Sequence, residues 1–160
     1  MLGESLDRDM IAVRITTDLR TAVVASPDYF ARFSPPQTPR DLLEHQCIGY
    51  RQIASGELYR WEFEQEGRVF SVAVNGPVVL DDPDLMLAAA LDGVGIAYTN
   101  EHDIREAAAS GLLVRTLQPW CPTYQGFFLY YSGRRQPPAA LVAFIEMMRL
   151  DTRTSAMLSQ

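Results

Sequence analysis

A chain of 160 residues with 48% hydrophobic and 21% charged residues has the composition of a globular protein, which excludes disorder and fibrous repeats. Its formal charge of −6 leaves no basic footprint for a nucleic-acid duplex. No apolar run approaches the roughly 18–20 residues needed to cross a bilayer, and Glu4, Asp7 and Asp9 stand where a secretory leader would be basic, so the expectation is a cytoplasmic chain without a membrane segment.

Met10 to Ile15 and Leu19 to Ala25 are aliphatic and β-branched, and Thr16-Thr17-Asp18 between them reads as a turn joining two strands. Ser26 then supplies an N-cap, Pro27 a first helical residue whose missing N–H costs nothing, and Asp28 a carboxylate at the positive helix end. A short helix to about Phe33 follows. Thr38-Pro39-Arg40-Asp41 repeats this grammar after the stiff Pro35-Pro36 spacer and predicts a helix carrying Leu42 and Leu43, with a strand next over Cys47 to Arg51.

Tyr59 to Glu64 and Arg68 to Val74 alternate about Gln65-Glu66-Gly67, the pattern of an antiparallel hairpin with Trp61, Phe63, Phe70, Val72 and Val74 supplying apolar surface. Asp82 as N-cap and Pro83 at the first helical position open a helix to about Leu91, ended by Gly93. Val94 to Tyr98 is short and apolar after a helix, which predicts a buried parallel strand. Asn100 is the expected cap of a helix running to Gly111. Leu112 to Leu117 and Gly126 to Tyr131 read as further strands, and Arg134-Arg135 as a solvated turn. After Pro137-Pro138, Leu141, Phe144, Ile145 and Met148 form a helical stripe that must pack on something, and the chain beyond about Asp151 is expected to fray. Alternating strands and helices predict an α/β architecture.

Chemistry finds little purchase. His45 and His102 have no His or Cys partner at a ligand spacing, so no metal site is expected, and there is no G-x-S-x-G, P-loop or dinucleotide fingerprint to imply a cofactor. Cys47 and Cys121 read as reduced core thiols. The acids Asp81, Asp82 and Asp84 are explained by capping and the helix dipole, so no catalytic residue is expected among them. A helix start beside a strand end is also a ready ligand location in open α/β sheets. Tyr50, Arg51, Tyr98, Tyr130 and Tyr131 lie at or near predicted strand ends, where ring area and a polar handle suit a small molecule.

The order of Ala25-Ser26-Pro27-Asp28-Tyr29, Pro39-Arg40-Asp41-Leu42-Leu43, His45 and Cys47-Ile48 resembles the effector-binding domain of LysR-type transcription regulators. Trp61-Glu62-Phe63, Val74-Asn75-Gly76, the Asp81-Asp82 helix start, Ala88 to Tyr98, Gly111 to Val114, Leu117 with Trp120, Leu129 to Tyr131 and the Pro138 to Met148 helix continue the likeness over nearly the whole chain. The resemblance implies a periplasmic-binding-protein-like (type II) α/β fold of two lobes, the first incomplete, with residues 1–46 and 134–160 in lobe one and 47–133 in lobe two. It implies a small-molecule effector held near Tyr50, Arg51, Leu80, Asp81, Asp82 and Tyr98, no enzyme activity, and a homo-oligomer. DNA would be contacted only through a winged helix-turn-helix that does not precede Met1, and Leu2-Gly3-Glu4 looks midway through lobe one. Alternatives are a free-standing solute-binding protein of the same fold, a small enzyme using the acids near Asp81, and a dimerisation module without ligand.

Overall fold

The structure, a computed structural model, describes residues 10–133 and 136–157. Leu2-Gly3-Glu4 and Arg134-Arg135 lie outside them. Contacts divide the chain into one unit of Met1–Leu19 with Tyr124–Gln160 and a second of Arg20–Thr123.

In the first unit, β1 (Met10–Arg14) pairs antiparallel with β10 (Phe128–Ser132), Val13 lying opposite Leu129. The turn after β1 is held by an Arg14–Asp18 ion pair and by Thr16 Oγ1, which accepts from Phe127 N–H at 2.7 Å. The helix α4 (Ala139–Met157) continues past Asp151, where fraying was expected. Its apolar stripe is only partly used: Ile145 is buried, Leu141 and Met148 are half-buried, and Phe144 keeps 41% of its surface exposed.

The second unit holds β2 (Leu19–Ala25), α1 (Pro27–Arg32), a 3₁₀ turn (Pro39–Glu44), β3 (Ile48–Tyr50), the hairpin β4 (Trp61–Gln65) and β5 (Arg68–Val72), β6 (Val78–Leu80), α2 (Pro83–Leu91), β7 (Ala97–Asn100), α3 (Arg105–Ala109) and β8 (Val114–Thr116). The two-residue strand β9 (Thr123–Tyr124) follows it. β2 lies between β7 and β8, antiparallel to both, and β3 runs parallel to β6. A single parallel bridge, Cys47 with Ile96, joins the two sets.

That bridge corrects the expectation of a parallel strand over Val94 to Tyr98. Only Ile96 pairs in parallel, and from Ala97 the chain runs antiparallel to β2. An apolar run gives burial but not the direction of the neighbour. Two further corrections concern caps. The segment opened by Thr38 is a 3₁₀ turn, short enough for Asp41 Oδ2 to accept from both Gln37 and Thr38 N–H. The N-cap position of α3 falls on Ile104, buried in the core, while the Asn100 amide donates to Asp103. Packing of Ile104 has set the start of that helix.

The expected caps at Ser26 and Asp82 are both present. Ser26 Oγ accepts from Tyr29 N–H at 3.2 Å, and Gly93 ends α2 with φ +74°, a conformation that a Cβ would strain. Two apolar clusters fill the unit, one around Trp61, Phe63, Tyr29, Leu42 and Ile96, the other around Val24, Ile48, Met86 and Ile104. Cys47 and Cys121 are free, buried thiols of the first cluster, and burial pushes the Cys47 thiol up to about 12. Such thiols are poor nucleophiles at neutral pH.

At the edge of the first cluster, Tyr29 Oη accepts from Gln46 N–H at 3.0 Å and lies 3.0 Å from His45 Nδ1. Neutral His45, in the tautomer with a bare Nδ1, would accept the phenol proton there, whereas a protonated ring turns a donor toward that group. Burial lowers the pKa of His45, against the opposing pull of Asp41 and Glu44. The unfolded chain therefore binds this proton more readily, and stability falls as pH drops from the ordinary 6.5 toward the lower folded value. Urea unfolding at pH 7.5 and 5.5 is expected to show a loss that His45→Gln reduces. An equal loss in both proteins would contradict the assignment.

Candidate functional site

β3 and β6 end side by side, with Tyr50 opposite Leu80, and Arg51 N–H extends the pairing by donating to Leu80 O at 2.8 Å. Five of the six residues singled out from the sequence, Tyr50, Arg51, Leu80, Asp81 and Asp82, are thereby gathered at the carboxyl ends of two parallel strands, immediately before α2. Leu80 and Tyr50 pack on the second cluster, whereas Arg51, Asp81 and Asp82 are exposed. This is the location where open α/β sheets present backbone and side-chain groups to a ligand.

The polar groups here are partly committed. Arg51 Nη1 donates to Gly56 O at 2.8 Å and pins the loop between β3 and β4. Asp82 Oδ1 accepts from Asp84 N–H at 2.8 Å and Leu85 N–H at 3.1 Å. Asp82→Ala is expected to cost about 1 kcal/mol of stability through loss of this cap, read as a shift of the urea midpoint. Asp82→Asn, which keeps the acceptor, should recover most of it; equal losses would contradict the capping role.

Tyr98, on β7, is set apart. Its ring belongs to the first cluster, stacked on Trp61 at 5.4 Å and edge-on to Phe63 at 5.9 Å. Its hydroxyl donates to Glu62 O at 2.8 Å, and burial raises its pKa. Tyr59 links it to the others, with its ring 6.0 Å from Tyr98 and 6.4 Å from Tyr50, edge-on. Tyr59 N–H also donates to Tyr50 O at 2.8 Å. Sequence reading passed over Tyr59 as a site residue; its signal was the aromatic alternation Tyr59, Trp61, Phe63. Tyr130 and Tyr131 lie on β10, in the other unit.

The second unit also has a groove of about 380 Å³, lined by Thr38, Pro39, Arg40, Gln65, Phe70 and Trp120. No sequence signal foretold it, because its walls come from three distant segments. Among the described residues no group of three or more His, Cys, Asp or Glu is placed to hold a metal ion, and no helix is long and apolar enough to cross a membrane.

Short strands, a pair of parallel strand ends and a capped helix make the second unit a mixed α/β domain. The chain belongs to the LysR substrate binding domain family, whose model matches residues 1–152. It is 41% identical over 148 residues to a putative transcriptional regulator of Pseudomonas aeruginosa, covering 92% of this chain and 48% of that protein. To the HTH-type transcriptional regulator PgrR of Escherichia coli it is 38% identical over 148 residues, covering 92% of this chain and 50% of that one. The chain thus spans about half the length of the curated relatives it matches. In fold it is similar to the regulatory domain of AphB in Vibrio vulnificus, with a TM-score of 0.76 at 23% identity over 92% of this chain and 71% of that one. The fold is accordingly α/β of the periplasmic-binding-protein-like type II.

Proposed function

We propose that this domain senses a small-molecule effector for a LysR-type regulator, with the effector held at the ends of β3 and β6 by Tyr50, Arg51, Leu80, Asp81 and Asp82 and with Tyr59 and Tyr98 as an aromatic backing. The observation that carries the reading is the convergence of these side chains at parallel strand ends in a chain of this family. An effector that binds one conformation of the domain more tightly than another shifts their populations, and in the intact regulator that bias reaches the DNA-binding part. DNA is contacted there and not by these residues, whose charge is −6.

No catalytic chemistry is assigned to the site: Asp82 is a cap and Arg51 a loop anchor. A regulator of this kind works in the cytoplasm. Self-association is supported by the apolar side chains exposed on the first unit, among them Ile11, Phe127, Phe144 and Met147.

The test is a thermal-shift screen of the chain against small carboxylates, amines and aromatic metabolites. A ligand that raises Tm by binding the native state should lose its effect in Arg51→Gln and Asp81→Asn. Shifts that persist in both variants would remove the effector from this site, and the absence of any ligand from a broad panel would favour the dimerisation-module reading.

A further inference from the structure

The groove lies wholly within the second unit, shares no lining residue with the strand ends, and has a composition that points to a ligand class. Pro39 is buried in its floor, and the half-buried rings of Phe70 and Trp120 supply apolar wall. Three polar side chains line it: the Thr38 hydroxyl, the Gln65 amide and the Arg40 guanidinium. Arg40 is the only charged residue of the lining, is exposed, and has no ion-pair or hydrogen-bond partner among the described residues. The nearest acid in sequence, Asp41, does not line the groove, and Gln37 and Thr38 N–H both donate to its carboxylate and hold its pKa low.

Apolar, aromatic-lined spaces of a few hundred Å³ with a small number of polar groups are the usual form of small-molecule sites. A flat hydrocarbon body would gain apolar contact from Phe70 and Trp120. The Arg40 guanidinium in the lining, with its planar fork of donors, favours a carboxylate over a neutral or cationic group. The charge complementarity is local: the chain carries −6 overall, yet the one charge lining this space is positive.

We infer that the groove formed by the Thr38–Arg40 turn, the β4–β5 hairpin and Trp120 is a second small-molecule site, selective for a flat apolar anion carrying one carboxylate. It goes beyond the effector reading above and uses none of that site's residues. A ligand here would touch both the 3₁₀ turn and the hairpin, which already pack together through Leu42, Phe63 and Val72.

Isothermal titration calorimetry of the 160-residue chain with 2-naphthoate, and with 2-naphthalenemethanol as its neutral counterpart, tests this. The expected result is one naphthoate bound per chain, with the alcohol weaker by about tenfold or more, the loss typical of a charged hydrogen bond. Arg40→Gln should weaken naphthoate by a similar factor and Arg40→Glu further, while Arg105→Gln, on the exposed helix α3, leaves it unchanged. Because Arg40 is exposed, circular dichroism should show each variant folded. Absence of binding, equal affinity for the alcohol, or an undiminished Arg40→Gln would overturn the proposal. Binding lost in Arg51→Gln but kept in Arg40→Gln would also overturn it, placing the anion at the strand ends and leaving the effector reading intact.

Discussion

Gly76→Ala should be among the most damaging single changes in the chain, lowering stability by about 3–5 kcal/mol and reducing soluble yield. A Cβ on residue 76 would sit 1.7 Å from Cys47 O and 2.7 Å from Cys47 C and N, so it meets backbone rather than a side chain that can swing away. Cys47 is fixed on every side: its N–H donates to Asn75 O at 2.9 Å, it bridges Ile96, and its thiol is buried. Relief would require moving the start of β3, and with it the parallel bridge of Cys47 to Ile96. Gly56→Ala provides the comparison, since its Cβ would touch nothing within 4 Å and only its φ of +72° is strained. That change should cost about 1–2 kcal/mol. Urea unfolding of both variants measures the difference; a Gly76→Ala protein within about 1 kcal/mol of the parent would show that β3 is free to shift.

The second large effect is at Trp61. Its side chain is fully buried, stacks on Tyr98 and is the largest in the first apolar cluster. Trp61→Ala should cost about 3–5 kcal/mol through lost burial and a cavity that the hairpin cannot collapse into. Trp61→Phe should cost clearly less. The indole Nε1 is buried with no hydrogen-bond partner among the described residues, so the change removes an unpaired donor along with some contact area. Similar unfolding free energies for the two variants would mean that ring volume is not what the site requires. Because Trp61 holds Tyr98, and through Tyr59 the ring of Tyr50, the alanine variant should also weaken effector binding at the strand ends.

The same geometry shows which features are written locally in the chain. Ser26-Pro27 and Asp82-Pro83 announce helix starts because a cap needs only a side-chain oxygen and the next three residues. The β4–β5 hairpin is legible for a similar reason: Glu66 and Gly67 take positive φ at a two-residue turn, and the alternating residues on either side meet in register, Trp61 with Val72 and Phe63 with Phe70. The strand over Cys47 to Arg51 was legible as an apolar run, and it is found as Ile48–Tyr50; the three-residue strand Val78–Leu80 beside it went unread because so short a run carries no alternation. What the chain does not spell out is who lies beside whom. Ala97 to Asn100 looks the same whether its neighbour runs parallel or antiparallel, and Asn100 loses the α3 cap to Ile104 because Ile104 is drawn into the core. Tyr98 looked like a strand-end handle, but the alternation of β7 turns its ring into the cluster around Trp61 while Ala97 faces the other. The groove beside Arg40 was invisible for the same reason: Thr38, Phe70 and Trp120 are neighbours only after folding.

The effector reading stands or falls most directly on where a bound ligand is felt. Backbone amide chemical shifts of the isotopically labelled chain, recorded while titrating in a compound that raised Tm in the screen, would map that location residue by residue. The account predicts the largest changes at Tyr50 to Gln52, Tyr59, Leu80 to Asp82, Asp84 and Leu85. Changes confined to other residues, with these amides unmoved at saturation, would contradict it.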